Sequence, residues 1–293
     1  MSGWRKTDPA VREVSIRRFL NGRLEAGCPD WVAVEEPLEI RVLGDAVAVT
    51  MRTPGCDEDL AAGYLFTEGL IHLGSDVLEM AHCGRGDVVG RENILNVFLT
   101  ASAAAGFQRP SPRGPVNVSC GLCGKTSIDE VLLKFPPVAA STPPDATFLT
   151  TLSGRLAGDQ VAFARTGGLH AAGVFDPDGN LLAAREDIGR HNAVDKAIGA
   201  CLRQGCMPLA GCTLFVSGRA SFEIVQKALA ARIAVIASVS APSSLAVEFA
   251  AGSGLTLVGF LRDGRFNVYA GEVAGFDPLS SNYHEGHEEH EGD

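Results

Sequence analysis

The residues with the clearest chemical capacity lie together at Ser119-Cys120-Gly121-Leu122-Cys123-Gly124. Two thiols two residues apart, each followed by glycine, read as a freely turning loop, because glycine lacks the Cβ that restricts other backbones. Behind them Ser127 and Glu130 have the spacing of a capping box, which predicts a helix starting at Ser127. A free thiol titrates at about 8.5, and nearby positive charge lowers that value and creates the nucleophilic thiolate. Lys125 supplies such a charge. The helix N-terminus adds roughly 0.3–1 kcal/mol, and Asp129 and Glu130 partly oppose both. Four readings of the pair stay open. It is half a zinc site that needs a partner pair such as Cys201 and Cys206, a dithiol redox pair, one nucleophilic thiol that carries a group with the second assisting, or an inert loop pair.

Phosphate chemistry is the second possibility. Ser217-Gly218-Arg219 and Ser240 to Ser244 each follow an apolar run and open a predicted helix, so free backbone N–H groups and hydroxyls meet there. Arg219, Arg262 and Arg265 add charge, and a guanidinium grips phosphate with two parallel hydrogen bonds. The bland alternative is ordinary helix caps and surface arginines. Arg185 to Asn192 is a further polar run between strand and helix. His170 opens a strand and is either a packed histidine or an acid–base group near neutral pH. His284, His287 and His290 alternate with acidic residues, as in a solvated tail with at most weak metal affinity.

The elements that must position these groups follow from periodicity. Glu13 to Phe19 alternates as a strand, Leu38–Leu43 and Ala46–Met51 form a hairpin around Gly44-Asp45, and a helix is predicted from Asp57 to about Leu70. Strands are expected near Val77–Ala81 and Ile94–Leu99, a low-order approach over 100–118, and a boundary at the prolines 136–144. Beyond it come a helix from Asp145 to Leu156 and a hairpin of Gly168–Phe175 with Leu181–Arg185. A helix from Asn192, capped by Asn192, precedes strand–loop–helix units at Thr213–Val216 and Ile233–Val239, then strands at Leu255–Leu261 and Phe266–Tyr269. Alternation of this kind predicts an α/β unit with a mainly parallel sheet covered by helices on both faces, beside a smaller α+β N-terminal unit. The expected division is a flexible leader 1–12, the N-terminal unit 13–135 with the cysteine loop at 100–126, a ligand-binding unit 136–275, and an acidic tail 276–293.

Composition narrows the class. The 293 residues are 46% hydrophobic and 20% charged, as in a soluble globular chain, and no apolar run approaches the ~20 residues that span a membrane. The net charge of −10 argues against a nucleic-acid surface. Eight cysteines at scattered positions do not form a disulfide framework, which fits a reducing cytoplasm.

The cysteine loop resembles that of the FdhD family, the accessory sulfurtransferases of formate dehydrogenase. Further matches are Met51-Arg52-Thr53-Pro54-Gly55, Glu186 to Lys196, Val216 to Glu223, Ser240 to Ser244, and Gly259-Phe260-Leu261-Arg262 through Tyr269; together they cover roughly residues 13–275 in order. The resemblance implies a cytidine-deaminase-like fold, usually homodimeric, that takes sulfur from a cysteine desulfurase as a persulfide. It implies delivery of that sulfur to the molybdenum (or tungsten) bis-molybdopterin guanine dinucleotide cofactor before insertion into formate dehydrogenase. The persulfide cysteine falls on Cys120, with Cys123 as helper, and the cofactor stretch on Phe260, Leu261, Arg262, Asp263, Gly264 and Arg265. GDP is the expected surrogate ligand, and Ser217, Gly218, Arg219 and Ser243 are expected to join the site. No protein-held metal is expected, because the deaminase pattern His-x-Glu is absent: Ala172 stands two residues after His170. A cofactor-binding chaperone whose thiols are idle and a thiol–disulfide oxidoreductase are the rival functions.

Overall fold

The computed structural model describes residues 8–83, 93–108, 128–139 and 142–275. The element order is β1 (Val11–Leu20), β2 (Arg23–Ala33), β3 (Glu36–Val42), β4 (Asp45–Arg52), α1 (Asp57–Thr67), β5 (Val77–His82), β6 (Ile94–Leu99), α2 (Ala101–Gly106) and α3 (Ile128–Lys134). It continues with α4 (Ala146–Ala157), α5 (Val161–Thr166), β7 (His170–Phe175), β8 (Leu181–Asp187), α6 (Arg190–Arg203), β9 (Thr213–Val216) and α7 (Phe222–Ala230). The last described elements are β10 (Val235–Ser238), α8 (Ser244–Gly252), β11 (Thr256–Arg262) and β12 (Arg265–Ala270).

The large sheet has the order β12-β11-β10-β9-β7-β8. Period-2 alternation explains its two cores. Ala172, Val174, Leu214, Val216, Ile236 and Leu257 face one side, where they meet α6, α7 and α8. Ala171, Phe175, Phe215, Val235, Ala237 and Val258 face the other, where they meet Leu149, Leu152 and Leu156 of α4. Helices therefore cover both faces. The parallel run is narrower than the sequence led us to expect. Only β9–β10 and β10–β11 pair in parallel, whereas β7–β8, β7–β9 and β11–β12 are antiparallel. Local turns are the cause at the two hairpins. Asp176 accepts from Asn180 and Gly179 between β7 and β8, and Asp263 and Gly264, with φ of 54° and 73°, form a primed two-residue turn between β11 and β12.

The small sheet, β4-β3-β6-β5, packs Leu38, Ile40, Val42, Leu95 and Val97 against Leu60, Ala61 and Leu65 of α1. Helix α1 lies between this sheet and α6, so it is buried on nearly every side and lacks a single apolar stripe. Its acidic residues are paired: Asp57 takes two hydrogen bonds from Arg52, and Asp59 takes one each from Arg185 and Arg203. A two-stranded ribbon, β1–β2, rests on α5. Helix α6 starts at Arg190 with Gly189 as its cap residue, three positions before the cap expected at Asn192. The Asn192 amide instead reaches Met51 O and Asp187 Oδ1.

Candidate functional site

The carboxyl ends of β8, β9, β10 and β11 share one edge of the large sheet, and β7 begins there because it runs antiparallel to β9. One carboxylate fastens this edge to the small sheet. Asp187, fully buried at the end of β8, accepts from Thr53 N (3.1 Å), Gly189 N (2.8 Å) and Asn192 Nδ2 (3.0 Å), and lies 2.7 Å from Lys196 Nζ. Lys196 also donates to Thr53 O at 2.8 Å, and Thr53 Oγ1 accepts from Ile188 N at 3.1 Å. With every lone-pair direction taken, Asp187 is an anchor and not an acid–base group. The segment 50–53 is thereby locked onto the turn that starts α6.

A cationic cluster stands in front of that anchor. Ser217 Oγ accepts from Ala171 N at 2.9 Å, which fixes the start of β7 beside the Ser217–Ser221 turn. Gly218 is close to both His170 and Arg190: a Cβ there would lie 3.3 Å from His170 Nδ1 and 3.6 Å from Arg190 Cβ. Arg219 is exposed on the same turn. Neither the α6 cap residue Gly189 nor the α7 cap residue Ser221 makes a side-chain capping bond, so both helices present free N–H groups here. Arg190 Nε is buried without a hydrogen-bond partner among the described residues. His191 Nε2 lies 3.1 Å from Ser221 Oγ and 3.2 Å from Glu223 Oε2. Burial, with the Arg190, Lys227 and His170 charges, pushes His191 down to about 3, so its neutral Nε2–H is shared between those oxygens. Burial, then Arg190 and Arg219, also lowers His170, with Asp187 opposing. Arg190 is lowered by burial and by Arg219.

The other expected residues form a second group on the edge. Ser243 caps α8, its Oγ accepting from Ala246 N at 3.3 Å, which is the bland role. Phe260 is exposed and has a left-handed φ of 54°, while its N–H donates to Ser240 O. Such a backbone costs a phenylalanine about 1–3 kcal/mol and concentrates at ligand sites. Leu261 is in the core, so only its backbone is available. Arg262, Asp263, Gly264 and Arg265 are exposed on the turn, with Arg262 and Arg265 opposite each other in register. Three strand spacings, about 14 Å, separate this turn from the His170 cluster. The turns between are tied together, since Ser243 N donates to Ala220 O and Val239 N to Val216 O.

Cys120, Cys123, Lys125 and Ser127 lie outside the described residues. Cys201, weighed above as a zinc partner, is buried in α6, and burial and its thiol neighbours push it up to about 12. Among the described residues no cluster of His, Cys, Asp or Glu can hold a metal ion, and no helix is long and apolar enough to cross a membrane. Sequence reasoning flagged the run 185–192 but did not single out Arg190 and His191. Their signal was two basic residues directly after a strand-ending Asp-Ile-Gly.

The fold defines a mixed α+β protein whose large sheet carries exposed arginines and an unpartnered guanidinium nitrogen along one edge. The FdhD/NarQ family model matches residues 33–274, and the chain belongs to that family. The chain is 50% identical over 250 residues to the sulfur carrier protein FdhD of Nocardia farcinica, covering 83% of this chain and 87% of that one. It is also 50% identical over 254 residues to the protein of the same name from Anaeromyxobacter dehalogenans, covering 82% and 87%. A crystal structure from Desulfotalea psychrophila, provisionally assigned as a formate dehydrogenase accessory protein, superposes with a TM-score of 0.70 at 24% identity over 90% of this chain and 98% of that one. That likeness speaks for the fold.

Proposed function

We propose that this chain is a cytoplasmic sulfur carrier that activates the molybdenum bis-molybdopterin guanine dinucleotide cofactor for formate dehydrogenase. The observation that carries the reading is the 50% identity, over 83% of the chain, to a relative named a sulfur carrier protein. The cationic edge supports it, because the recipient has two pyrophosphates. In the first step the Cys120 thiolate attacks the terminal sulfur of a persulfide on a cysteine desulfurase. The donor S–S bond breaks, the donor cysteine leaves as thiolate, and Cys120 holds the persulfide with no net oxidation. In the second step the Cys123 thiolate attacks the Cys120 sulfur. A Cys120–Cys123 disulfide forms, and the outer sulfur leaves as sulfide for the recipient's metal. A cellular dithiol then reduces the disulfide. Phe260 to Arg265, with Ser217, Gly218 and Arg219, hold the recipient's phosphates, and GDP is their surrogate. The working unit is a homodimer.

Mass spectrometry after incubation with a cysteine desulfurase and cysteine tests the thiol chemistry. The expected result is one added sulfur that disappears in Cys120→Ala and remains in Cys123→Ala. The opposite pattern reverses the two roles, and no added sulfur on the wild-type protein overturns the reading.

A further inference from the structure

His170 has no function in the scheme above, yet it occupies the centre of the cationic cluster. Neither of its ring nitrogens has a hydrogen-bond partner among the described residues, and its ring and Arg190 both flank Gly218, 3.3 Å and 3.6 Å from where a Cβ would stand. The titratable and charged groups around it come from every neighbouring element: Asp187 on β8, Arg190 on α6, Arg219 on the β9–α7 turn, and the neutral His191 one residue further along α6. Asp187 is committed to Lys196 and three amide donors and opposes Arg190 and Arg219 only in part, so burial and the arginines together still lower His170. Half-buried imidazole nitrogens without partners therefore stand beside an unpartnered guanidinium nitrogen and two helix starts that lack side-chain caps, all of them hydrogen-bond donors or potential donors.

We propose that His170 is a phosphate-binding residue that contacts a pyrophosphate ligand as imidazolium, taking one proton from solvent as the ligand enters. The inference rests on the phosphate-binding reading of this edge and assigns it a residue and a proton stoichiometry. The physical cause is linkage. In the free protein Arg190 and Arg219 disfavour a third positive charge, and a pyrophosphate between them reverses that field. A group whose pKa rises on binding adds affinity that is complete below its free value and gone above its bound value. Affinity therefore increases as pH falls, by up to about tenfold per unit for one proton. No covalent or redox change is involved.

The test is calorimetric titration of the full chain with diguanosine pyrophosphate, a diester whose phosphates do not titrate near neutral pH. Titrations at pH 7 are run in two buffers of different ionisation enthalpy, and affinities are measured from pH 6 to 8.5. The expected result is net proton uptake by the wild type. His170→Gln should abolish the uptake and weaken binding about tenfold at pH 6 but little at pH 8.5. A second measurement, the imidazole shift of His170 in ¹⁵N-histidine-labelled protein, should show its titration midpoint rising with ligand. Tight binding without proton uptake, or uptake unchanged in His170→Gln, overturns the proposal and leaves the phosphate site standing. No binding of the diester by wild type overturns both.

Discussion

Gly63 of α1 and Gly199 of α6 meet backbone to backbone. A Cβ on Gly63 would lie 1.8 Å from Asp195 O, and one on Gly199 would lie 1.9 Å from Asp59 O. The contact brings the small sheet's helix against the large sheet's helix with no side chain between them. On an exposed helix, glycine to alanine gains about 1 kcal/mol. Here the sign inverts, because backbone on both sides must separate. Gly199→Ala should destabilise the protein by about 3 kcal/mol, read as a lower urea midpoint.

Lys227 of α7 is fully buried and donates to Asp195 Oδ2 at 2.8 Å and Thr67 Oγ1 at 3.2 Å, while Thr67 Oγ1 donates to Asp195 Oδ1 at 2.8 Å. Burial works against the ammonium, but Asp195, Glu68 and Glu223 outweigh it and hold Lys227 above its ordinary range. Lys227→Met leaves Asp195 buried and unpaired, which should cost about 3–5 kcal/mol. The double variant Lys227→Met with Asp195→Leu should recover much of that loss in the same unfolding experiment.

His191 predicts the acid limb of stability. Its folded value of about 3 lies below its ordinary 6.5, so above pH 6.5 it contributes no pH dependence. As pH falls from 6.5 towards 3 the unfolded chain takes a proton that the folded chain refuses. Stability then declines by about 1.4 kcal/mol per unit from this group. His191→Gln, which keeps a donor for Ser221 and Glu223, should flatten the decline between pH 6.5 and 4.5. An unchanged slope would show that the imidazole is charged in the fold.

Arg219 and Arg265 stand in the two separate groups of the ligand edge. Alanine at either should weaken GDP binding about tenfold, the worth of one charge-assisted hydrogen bond, without changing thermal stability. Isothermal titration of both variants checks this, and unaltered affinity in both would remove phosphate binding from the edge.

Strands with alternation, as at β3, β4 and β6, and the short apolar runs of β9 to β11, buried on both faces, were legible. Strand β2 was not, because Gly27 and Pro29 interrupt its pattern and its ribbon has little core to face. Helix α2 escaped notice as a six-residue alanine-rich turn before prolines, although Thr100 accepts from Ala103 N as its cap. The misplaced start of α6 has a tertiary cause. Asn192 looks like a cap locally, but its partners lie on β8 and on a strand 141 residues away. The arginine turn at 262–265 was readable from residue types. The gathering of His170 and Arg190 around Gly218 was not, since it depends on β7 running against β9.

Asp187 joins Thr53, 134 residues away in the chain, to the cap residue Gly189 and to Lys196 of the adjoining helix α6, around a single pair of oxygens. Replacing Asp187 strands the Lys196 ammonium and two backbone amides, and replacing Lys196 strands the carboxylate, so the two change safely only together. A hybrid that grafted a relative's first hundred residues onto this chain would therefore take, through the backbone at position 53, the alignment of this sheet edge from the graft.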